Sequence, residues 1–233
     1  MNQHTESVEI RPIAHIRTDF SEKFGIPRQS GLVEALTGRI VFAPAYRDPS
    51  AFRGLEAFSH IWLIWHFSEA VRDTFSPTVR PPRLGGNTRV GVFATRSPFR
   101  PNHMGLSCVR LDRIDYEAQD GPVLYVSGVD MLDGTPIFDV KPYIPVADCR
   151  PDASEGYTAE TRCHALSVVF DCGGEDQLTE AERAALVGVL GNDPRPGYDD
   201  DPTKEYGLNF ARFDVGFFVK DGTAHVVRLR RMD

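Results

Sequence analysis

The sequence predicts a mainly β protein: a small β-barrel over residues 8–146, outside the Rossmann class, followed by a smaller α+β domain over residues 157–233. Short runs rich in β-branched and aromatic residues, separated by loops containing Pro and Gly, fill the first part. That part lacks the helical segments that a repeated strand–helix–strand pattern requires. A closed or nearly closed barrel is therefore favoured over a doubly wound sheet.

The elements of the first part follow from local patterns. Asp48 and Pro49 are typical of the N-cap and first position of a short helix that Gly54 would end. Pro, Asp, Ser and Gly then cluster in Pro145–Gly156, which predicts a linker. The predicted barrel strands are Val8–Arg17, Arg39–Ala43, Ile61–Phe67, Val90–Thr95, Cys108–Tyr116, Val123–Val129 and Ile137–Val140.

The second part begins with a predicted strand at Leu166–Phe170. Thr179 and Glu182 form a capping-box pattern, because a hydroxyl and a carboxylate three residues apart satisfy each other's backbone amides. The helix runs to about Leu190, and Gly191 is predicted to end it in the left-handed conformation. An Asp-Gly pair predicts a hairpin between two alternating runs, Phe213–Lys220 and Ala224–Leu229.

Composition excludes several classes. The chain has 233 residues, of which 41% are hydrophobic and 25% charged, so it is neither collagenous nor wholly disordered. Its net charge of −7 argues against a protein that coats nucleic acid. Its most apolar stretch, Ala57–Phe67, is too short for a membrane span of about 20 residues. Four scattered cysteines and a start without a signal pattern predict a cytoplasmic protein with no membrane partner.

The charge is unevenly distributed. Residues 72–113 contain eight arginines against two aspartates, so this window carries +6 and the remainder −13. Two of its segments, residues 80–87 and 96–102, alternate Arg with Pro or Gly. Stiff loops that present guanidinium groups are typical of an anion-binding site. The alternative is that these arginines solvate an outer face or hold turns at the barrel rim.

Motifs that are absent narrow the chemistry further. The chain has no Gly-x-x-x-x-Gly-Lys-Ser/Thr loop, no Gly-x-Gly-x-x-Gly after a strand and no Gly-x-Ser-x-Gly elbow. His60 and His66 would share one strand face, but no carboxylate or thiol is spaced to complete a tetrahedral metal site. We therefore predict that the chain binds no metal ion and that these two histidines are packed and hydrogen-bonded.

Several contiguous segments closely resemble the TrmO (YaeB-like, TsaA-like) family of S-adenosylmethionine-dependent tRNA methyltransferases. The resemblance runs from about residue 8 to the C-terminus. The segments that carry it are Pro27-Arg28-Gln29, Gly54-Leu55-Glu56-Ala57-Phe58-Ser59-His60, residues 80–86 (Arg-Pro-Pro-Arg-Leu-Gly-Gly), Val92-Phe93-Ala94-Thr95-Arg96-Ser97, Asp133-Gly134-Thr135-Pro136 and Asp193-Pro194-Arg195-Pro196-Gly197-Tyr198.

The resemblance implies a barrel that binds S-adenosylmethionine, and a homodimer. It implies methylation of N6 of adenosine 37, already converted to threonylcarbamoyladenosine, in the anticodon loop of threonine tRNA. The residues to which it carries donor binding are Pro27, Arg28, Gln29, Ser68, Glu69, Arg96, Leu106, Asp133, Gly134, Thr135 and Pro136. Without the resemblance, Asp133-Gly134 would be read as a turn.

Methyl transfer to an amide-like nitrogen requires that this nitrogen be aligned with the methyl carbon and that a base take its proton. Asp139 and Asp193 are the candidates for that base. A forked Arg195 could bind the threonyl carboxylate, and Tyr198 could stack on a base. The alternative for 193–195 is a helix-ending turn with a local ion pair. The remaining predicted tRNA contacts are Arg80, Arg83, Arg100 and Lys141.

Two other functions fit the same residues. The chain could be an RNA- or anion-binding module that holds S-adenosylmethionine without transferring its methyl group. It could also be a small-molecule methyltransferase. The arginine loops and the C-terminal part favour a large anionic acceptor.

Overall fold

Six antiparallel strands close into a barrel. The computed structural model describes residues 7–71, 74–81, 84, 87–159, 165–196 and 201–232. The barrel strands are β1 (Ala14–Thr18), β2 (Thr37–Phe42), β3 (His60–His66), β6 (Met104–Asp115), β7 (Val123–Ser127) and β8 (Pro136–Pro142); β4 (Thr78–Val79) and β5 (Val90–Gly91) form a separate hairpin. Around the barrel the strands follow the order β1-β2-β7-β6-β3-β8.

The C-terminal unit is a four-stranded sheet with one helix. Its elements are β9 (Ser167–Phe170), α2 (Glu180–Gly191), β10 (Tyr206–Phe210), β11 (Phe213–Lys220) and β12 (Thr223–Arg231); a four-residue α1 (Pro145–Asp148) precedes them. The strands lie in the order β10-β11-β12-β9, with β9 parallel to β12. The mainly β prediction, a barrel followed by a smaller α+β unit, is confirmed.

Two local patterns predicted in the C-terminal unit, and one in the barrel part, are present in the structure. The Thr179 hydroxyl accepts from the Glu182 amide at 3.2 Å, and the Glu182 carboxylate accepts from the Thr179 amide at 2.8 Å, so the capping box is present. Asp221 and Gly222 join β11 to β12 with φ of 48° and 73°, the conformation that a two-residue hairpin turn needs. Asp48 caps a 3-10 turn over Pro49–Phe52.

Three local predictions were wrong. Val8 is 79% exposed, and the first strand begins only at Ala14, where Phe42 and Ile137 supply partners on both sides. The strand at Val90 stops after two residues, because the Thr95 amide and hydroxyl both donate to the Val92 carbonyl and close a turn. The helix ends without a left-handed Gly191: Asn192 is the C-cap, and the positive φ of 48° belongs to Asp193.

One segment, residues 19–36, lies between the two units and belongs to a core that they share. Phe20 packs edge-on against Phe210 with ring centroids 5.9 Å apart. Phe24 stacks on Tyr206 and Phe217. A Cβ added at Gly188 of α2 would lie 2.4 Å from Val33, so the helix packs against this segment without a side chain between. The C-terminal sheet therefore anchors the loop that carries Pro27, Arg28 and Gln29.

In the part of the chain that the structure describes, no helix is long and apolar enough to cross a membrane.

Candidate functional site

The predicted donor loop, Pro27-Arg28-Gln29, contacts a predicted partner far away in the chain. The guanidinium of Arg96 donates to Oε1 of Gln29 through a short hydrogen bond. Arg96 is exposed and follows the 3-10 turn over Val92–Ala94. The structure thus brings a cation from one arginine-rich loop onto the 27–29 loop.

The C-terminal element meets the same loop from the other side. Nη2 of Arg28 donates to the carbonyl of Arg195 at 2.9 Å. Arg195 itself is held by Asp193 through two parallel hydrogen bonds, Nε to Oδ1 and Nη2 to Oδ2, each 2.8 Å long. Both side chains of this pair are mostly buried, with 11% and 23% exposed. A forked pair fixes the orientation of the guanidinium as well as its charge.

Asp193 lies where α2 ends. Its amide donates to the carbonyl of Leu190, and its left-handed conformation turns the chain sharply. The structure therefore contains the helix-ending turn with a local ion pair. The same turn places the Arg195 carbonyl on the donor loop.

Three further predicted donor residues lie around this loop. Ser68 and Glu69 form a 3-10 turn directly after β3, and the carbonyl of Glu69 accepts a short hydrogen bond from Nζ of Lys23. Leu106 of β6 is 52% exposed and pairs across the strands with Ile64. Hydrogen bonds thus link Gln29 to Arg96 and the 19–36 segment, through Lys23, to Glu69. Leu106 precedes Ser107 on β6.

The sequence reading missed one acidic residue of this region, Asp130. Its Oδ1 accepts from the hydroxyl of Ser107 at 2.7 Å, and it also accepts from the backbone of Ser30, next to Gln29. Burial raises the pKa of Asp130 to about 6, although these hydrogen bonds and the charge of Arg96 favour its ionised form. Its place just after the last strand residues of β7 and just before Asp133 was the available signal.

The segment Asp133-Gly134-Thr135-Pro136 forms a tight turn beside the end of β1. The Asp133 carboxylate accepts from the Thr18 amide at 3.0 Å and pairs with Arg17 at 3.3 Å. Thr135 is buried, and its hydroxyl donates to the Leu132 carbonyl at 2.7 Å. These contacts place the segment on the β1 side of the 19–36 loop, with the Asp133 side chain 38% exposed.

The remaining predicted residues have varied surroundings. Arg100 donates to the carbonyls of Thr95 and Ser97, so it closes its own loop. Nζ of Lys141 lies 3.1 Å from Oδ2 of Asp139, and both side chains are about half exposed. Arg80 is exposed next to β4. Two further predicted contacts, Arg83 and Tyr198, lie outside the described residues.

The donor set fits the groups of S-adenosylmethionine. Exposed Arg96 can bind a carboxylate, and partly exposed Asp133 can bind an ammonium or a ribose hydroxyl. The polar backbone of tight turns such as 132–135 can supply the remaining hydrogen bonds. Among the described residues no three His, Cys, Asp or Glu side chains group so as to hold a metal ion.

Fold and site together define a class: a small closed-barrel protein with a candidate ligand site on arginine-bearing loops, outside the doubly wound nucleotide-binding folds. The family model of the tRNA-methyltransferase O N-terminal domain matches residues 15–149, and that of the TrmO C-terminal domain matches residues 164–232. The chain belongs to the tRNA-methyltransferase O (TrmO) family.

Individual relatives agree along almost the whole chain. The tRNA (adenine(37)-N6)-methyltransferase of Escherichia coli (strain K12) is 40% identical over 231 residues, which cover 96% of this chain and 98% of the relative. A Pseudomonas aeruginosa protein, RcsF, named as an S-adenosylmethionine-dependent methyltransferase, is 40% identical over 214 residues, or 88% of this chain and 90% of that one. A crystal structure of TrmO from Pseudomonas aeruginosa is similar with a TM-score of 0.79 at 32% identity, covering 99% of this chain and 100% of that one.

Proposed function

We propose that this chain transfers the methyl group of S-adenosylmethionine to N6 of threonylcarbamoyladenosine 37 in threonine tRNA, acting in the cytoplasm as a homodimer. The coarser activity, S-adenosylmethionine-dependent methylation of tRNA at N6 of adenine 37, follows from family membership and from identity across nearly the whole chain. The modified base, the tRNA, the dimer and the residue roles are the parts proposed here. We place the boundary between barrel and C-terminal domain within residues 146–157.

The observation that carries the proposal is the hydrogen bond from Arg28 to the Arg195 carbonyl. It joins the predicted donor loop to the C-terminal element that would read the substrate. Transfer needs donor and acceptor held about 3 Å apart in line, and most of the rate can come from that alignment. A direct link between the two binding elements, inside a shared aromatic core, is the kind of support such alignment requires.

Two carboxylates are candidates for taking the N6 proton, and we propose Asp193 because it adjoins the C-terminal element that contacts the donor loop. Asp193 forms an ion pair with Arg195, and the backbone carbonyl of Arg195 accepts a hydrogen bond from Arg28 of the donor loop. Asp139 instead lies on β8, beside Lys141. Bound S-adenosylmethionine would supply a methyl group on a sulfonium, whose sulfur would keep the bonding electrons when N6 takes the methyl. Asp193 would then accept the proton that N6 loses.

Substrate recognition is assigned to the same element. Arg195, oriented by Asp193, would contact the threonyl carboxylate, and Tyr198 would stack on a neighbouring base. Contacts to phosphates are assigned to Arg80, Arg83, Arg100 and Lys141.

The homodimer proposal is supported by large apolar side chains exposed around the site loops. Phe93 is 75% exposed and Leu106 is 52% exposed. Large apolar side chains that are exposed beside a ligand site are candidates for an interface. Light scattering on the purified protein would measure its mass in solution, and a monomer at micromolar concentration would contradict this part.

The test uses labelled S-adenosylmethionine with threonine tRNA that carries, or lacks, threonylcarbamoyl at position 37, and nucleoside mass spectrometry of the product. We expect transfer to N6 of the modified tRNA only. Equal transfer to the unmodified tRNA would contradict the proposed substrate. Donor binding without any transfer would favour the binding module, and transfer to a small molecule alone would favour the other alternative.

Arg195→Ala tests the recognition role, and it keeps the backbone carbonyl that Arg28 contacts. We expect KM for the modified tRNA to rise about tenfold or more, equivalent to about 1.4 kcal/mol, with the donor Kd retained. Arg183→Ala is the matched control, because Arg183 lies on the exposed face of α2 and pairs only with Glu175 among the contacts described. Unchanged methylation by Arg195→Ala would remove Arg195 from recognition.

A further inference from the structure

A line of hydrogen-bonded polar groups runs from the barrel core toward the donor loop. Nε1 of Trp65 donates to the hydroxyl of Ser107 at 3.0 Å, and that hydroxyl donates to Oδ1 of Asp130 at 2.7 Å. Ser107 is 1% exposed and Trp65 is 7% exposed. Because the indole can only donate, the Ser107 hydroxyl accepts from Trp65 and donates its single proton to Asp130. All hydrogen bonds of the line therefore run from Trp65 toward Asp130, which must act as an acceptor.

Asp130 faces the donor loop with its remaining acceptor capacity. The chain just before it holds the end of that loop, since the Gly31 amide donates to the Gly128 carbonyl at 2.9 Å. The backbone of Ser30 also favours the ionised form of Asp130 and so lowers its pKa. Ser30 directly follows Gln29, to which Arg96 donates. Among the described residues, the ionisable group whose charge acts on Asp130 is Arg96. One carboxylate thus lies between β6, the end of the donor loop and Arg96, which donates to Gln29 of that loop.

The two protonation states of Asp130 differ in what they can hold. The carboxylate accepts several donors at once and attracts Arg96, whereas the protonated acid gives up acceptor capacity and the attraction. Burial holds the pKa of Asp130 at about 6, so mild acid is enough to change this state. The donor loop would then lose a support without any change in its own residues.

We propose that Asp130 is a positioning residue for methyl-donor binding: its carboxylate, fixed by Ser107, holds the Ser30 end of the donor loop and Arg96 in the arrangement that binds S-adenosylmethionine. This inference rests on the proposed function in one respect, the assignment of Gln29 and Arg96 to the donor. It predicts an effect on donor affinity and little effect on the chemical step at saturating donor.

The test measures the Kd of S-adenosylmethionine by calorimetry between pH 5 and 8. With a pKa of about 6, about nine tenths of the molecules carry ionised Asp130 at pH 7 and about a tenth at pH 5. Because the neutral group should support binding about tenfold less well, the wild-type affinity should fall about fivefold over that range. Asp130→Asn should bind about tenfold more weakly at pH 7 and show no such step. Its kcat at saturating donor should stay near the wild-type value.

Asp120→Asn is the matched control, since Asp120 is 62% exposed and pairs with Arg47 at 3.6 Å. It should follow the wild type throughout. Hydrogen exchange without donor gives a readout independent of activity: amides of residues 27–31 should exchange faster in Asp130→Asn and not in Asp120→Asn. A wild-type Kd at pH 7 for Asp130→Asn, or the same pH step in that variant, would overturn the inference.

Ser107→Ala keeps the inference testable if Asp130→Asn does not fold. Removing the hydroxyl takes away a hydrogen bond that favours the carboxylate, so the pH step should move toward neutral pH. An unmoved step would overturn the inference. Wild-type protein that binds the donor with this step but does not methylate tRNA would contradict the proposed function alone.

Discussion

Gly105 of β6 lies directly opposite Trp65 of β3, and this pair supports the line of polar groups beneath the donor loop. A Cβ added at Gly105 would lie 2.2, 2.5 and 2.6 Å from Cε2, Cζ2 and Cδ2 of the indole ring. Real carbon contacts are essentially never shorter than 3.0 Å. Because Trp65 is packed in the core, the ring can make room only by moving its neighbours.

We therefore expect Gly105→Ala to destabilise the protein by about 2–4 kcal/mol. Overpacking a core costs about 1–3 kcal/mol, and loss of the Trp65–Ser107 hydrogen bond adds about 1 kcal/mol. At roughly 2–4 °C per kcal/mol for a chain of this size, Tm should fall by roughly 5–15 °C. Urea unfolding followed by far-UV circular dichroism measures the free energy directly.

Gly91→Ala is the matched control for this substitution. A Cβ at Gly91 would have nothing within 4 Å, and the φ of Gly91 is −58°, which alanine adopts freely. Its stability should be unchanged or about 0.4–1 kcal/mol higher, because alanine restricts the unfolded chain. If Gly105→Ala costs no more than Gly91→Ala, the close packing of Trp65 on β6 is refuted.

Two further predictions concern the joint between the units and the barrel end. Gly188→Ala should lower the free energy of unfolding by about 1–3 kcal/mol, since its Cβ would lie 2.4 Å from Cγ1 of Val33. In the double variant with Val33→Ala, urea unfolding should show about 1 kcal/mol more stability than the sum of the two single effects predicts. Strictly additive effects would contradict this contact. The Ile144 amide and then the Trp62 indole hold the pKa of Asp148 below its usual 3.8, so these bonds persist above that pH and are lost as the pH falls through the lower folded value. Tryptophan fluorescence should change on acidification below pH 3.8 in the wild type but not in Asp148→Asn, and an identical titration in both proteins would count against the bond.

Local chemistry predicted elements well wherever neighbours along the chain supply the partners. The Thr179–Glu182 capping box and the Asp221-Gly222 hairpin involve residues within a few positions of each other, and both are present. The start of the first strand was wrong because its pairing partners, Phe42 and Ile137, lie far away in sequence. The strand at Val90 was predicted too long because Thr95 closes a turn on Val92 that the β-branched run did not reveal. β10 was not predicted, since the shared core with Phe20 makes it a strand.

The candidate site divides in the same way. The motifs named the donor loop and Arg96, but no pattern in the sequence showed that Gln29 binds Arg96 or that Arg28 reaches the carbonyl of Arg195, 167 residues away. Asp130 carried no motif, and its hydrogen bond with Ser107 of β6 appears only in the folded chain.

The net charge of −7 was a poor guide for a related reason. Of the arginines in the basic window, Arg110 and Arg113 form ion pairs on β6, while the loop arginines Arg89, Arg96 and Arg100 donate to uncharged oxygens. Arginines that are already ion-paired on an exposed strand face contribute little to stability and serve mainly to keep that face solvated. Only the three-dimensional arrangement separates them from guanidinium groups available to an anion.

The sequence by itself determined the fold class, the order of most elements and the family, because alternation, caps, turns and contiguous motifs are properties of neighbouring residues. The tertiary structure alone decided which side chains act together: the closure of the barrel, the wedge of residues 19–36 between the units, and the line from Trp65 to Asp130. The physical reason is that burial and long-range hydrogen bonds depend on atoms that only the folded chain brings within a few ångströms.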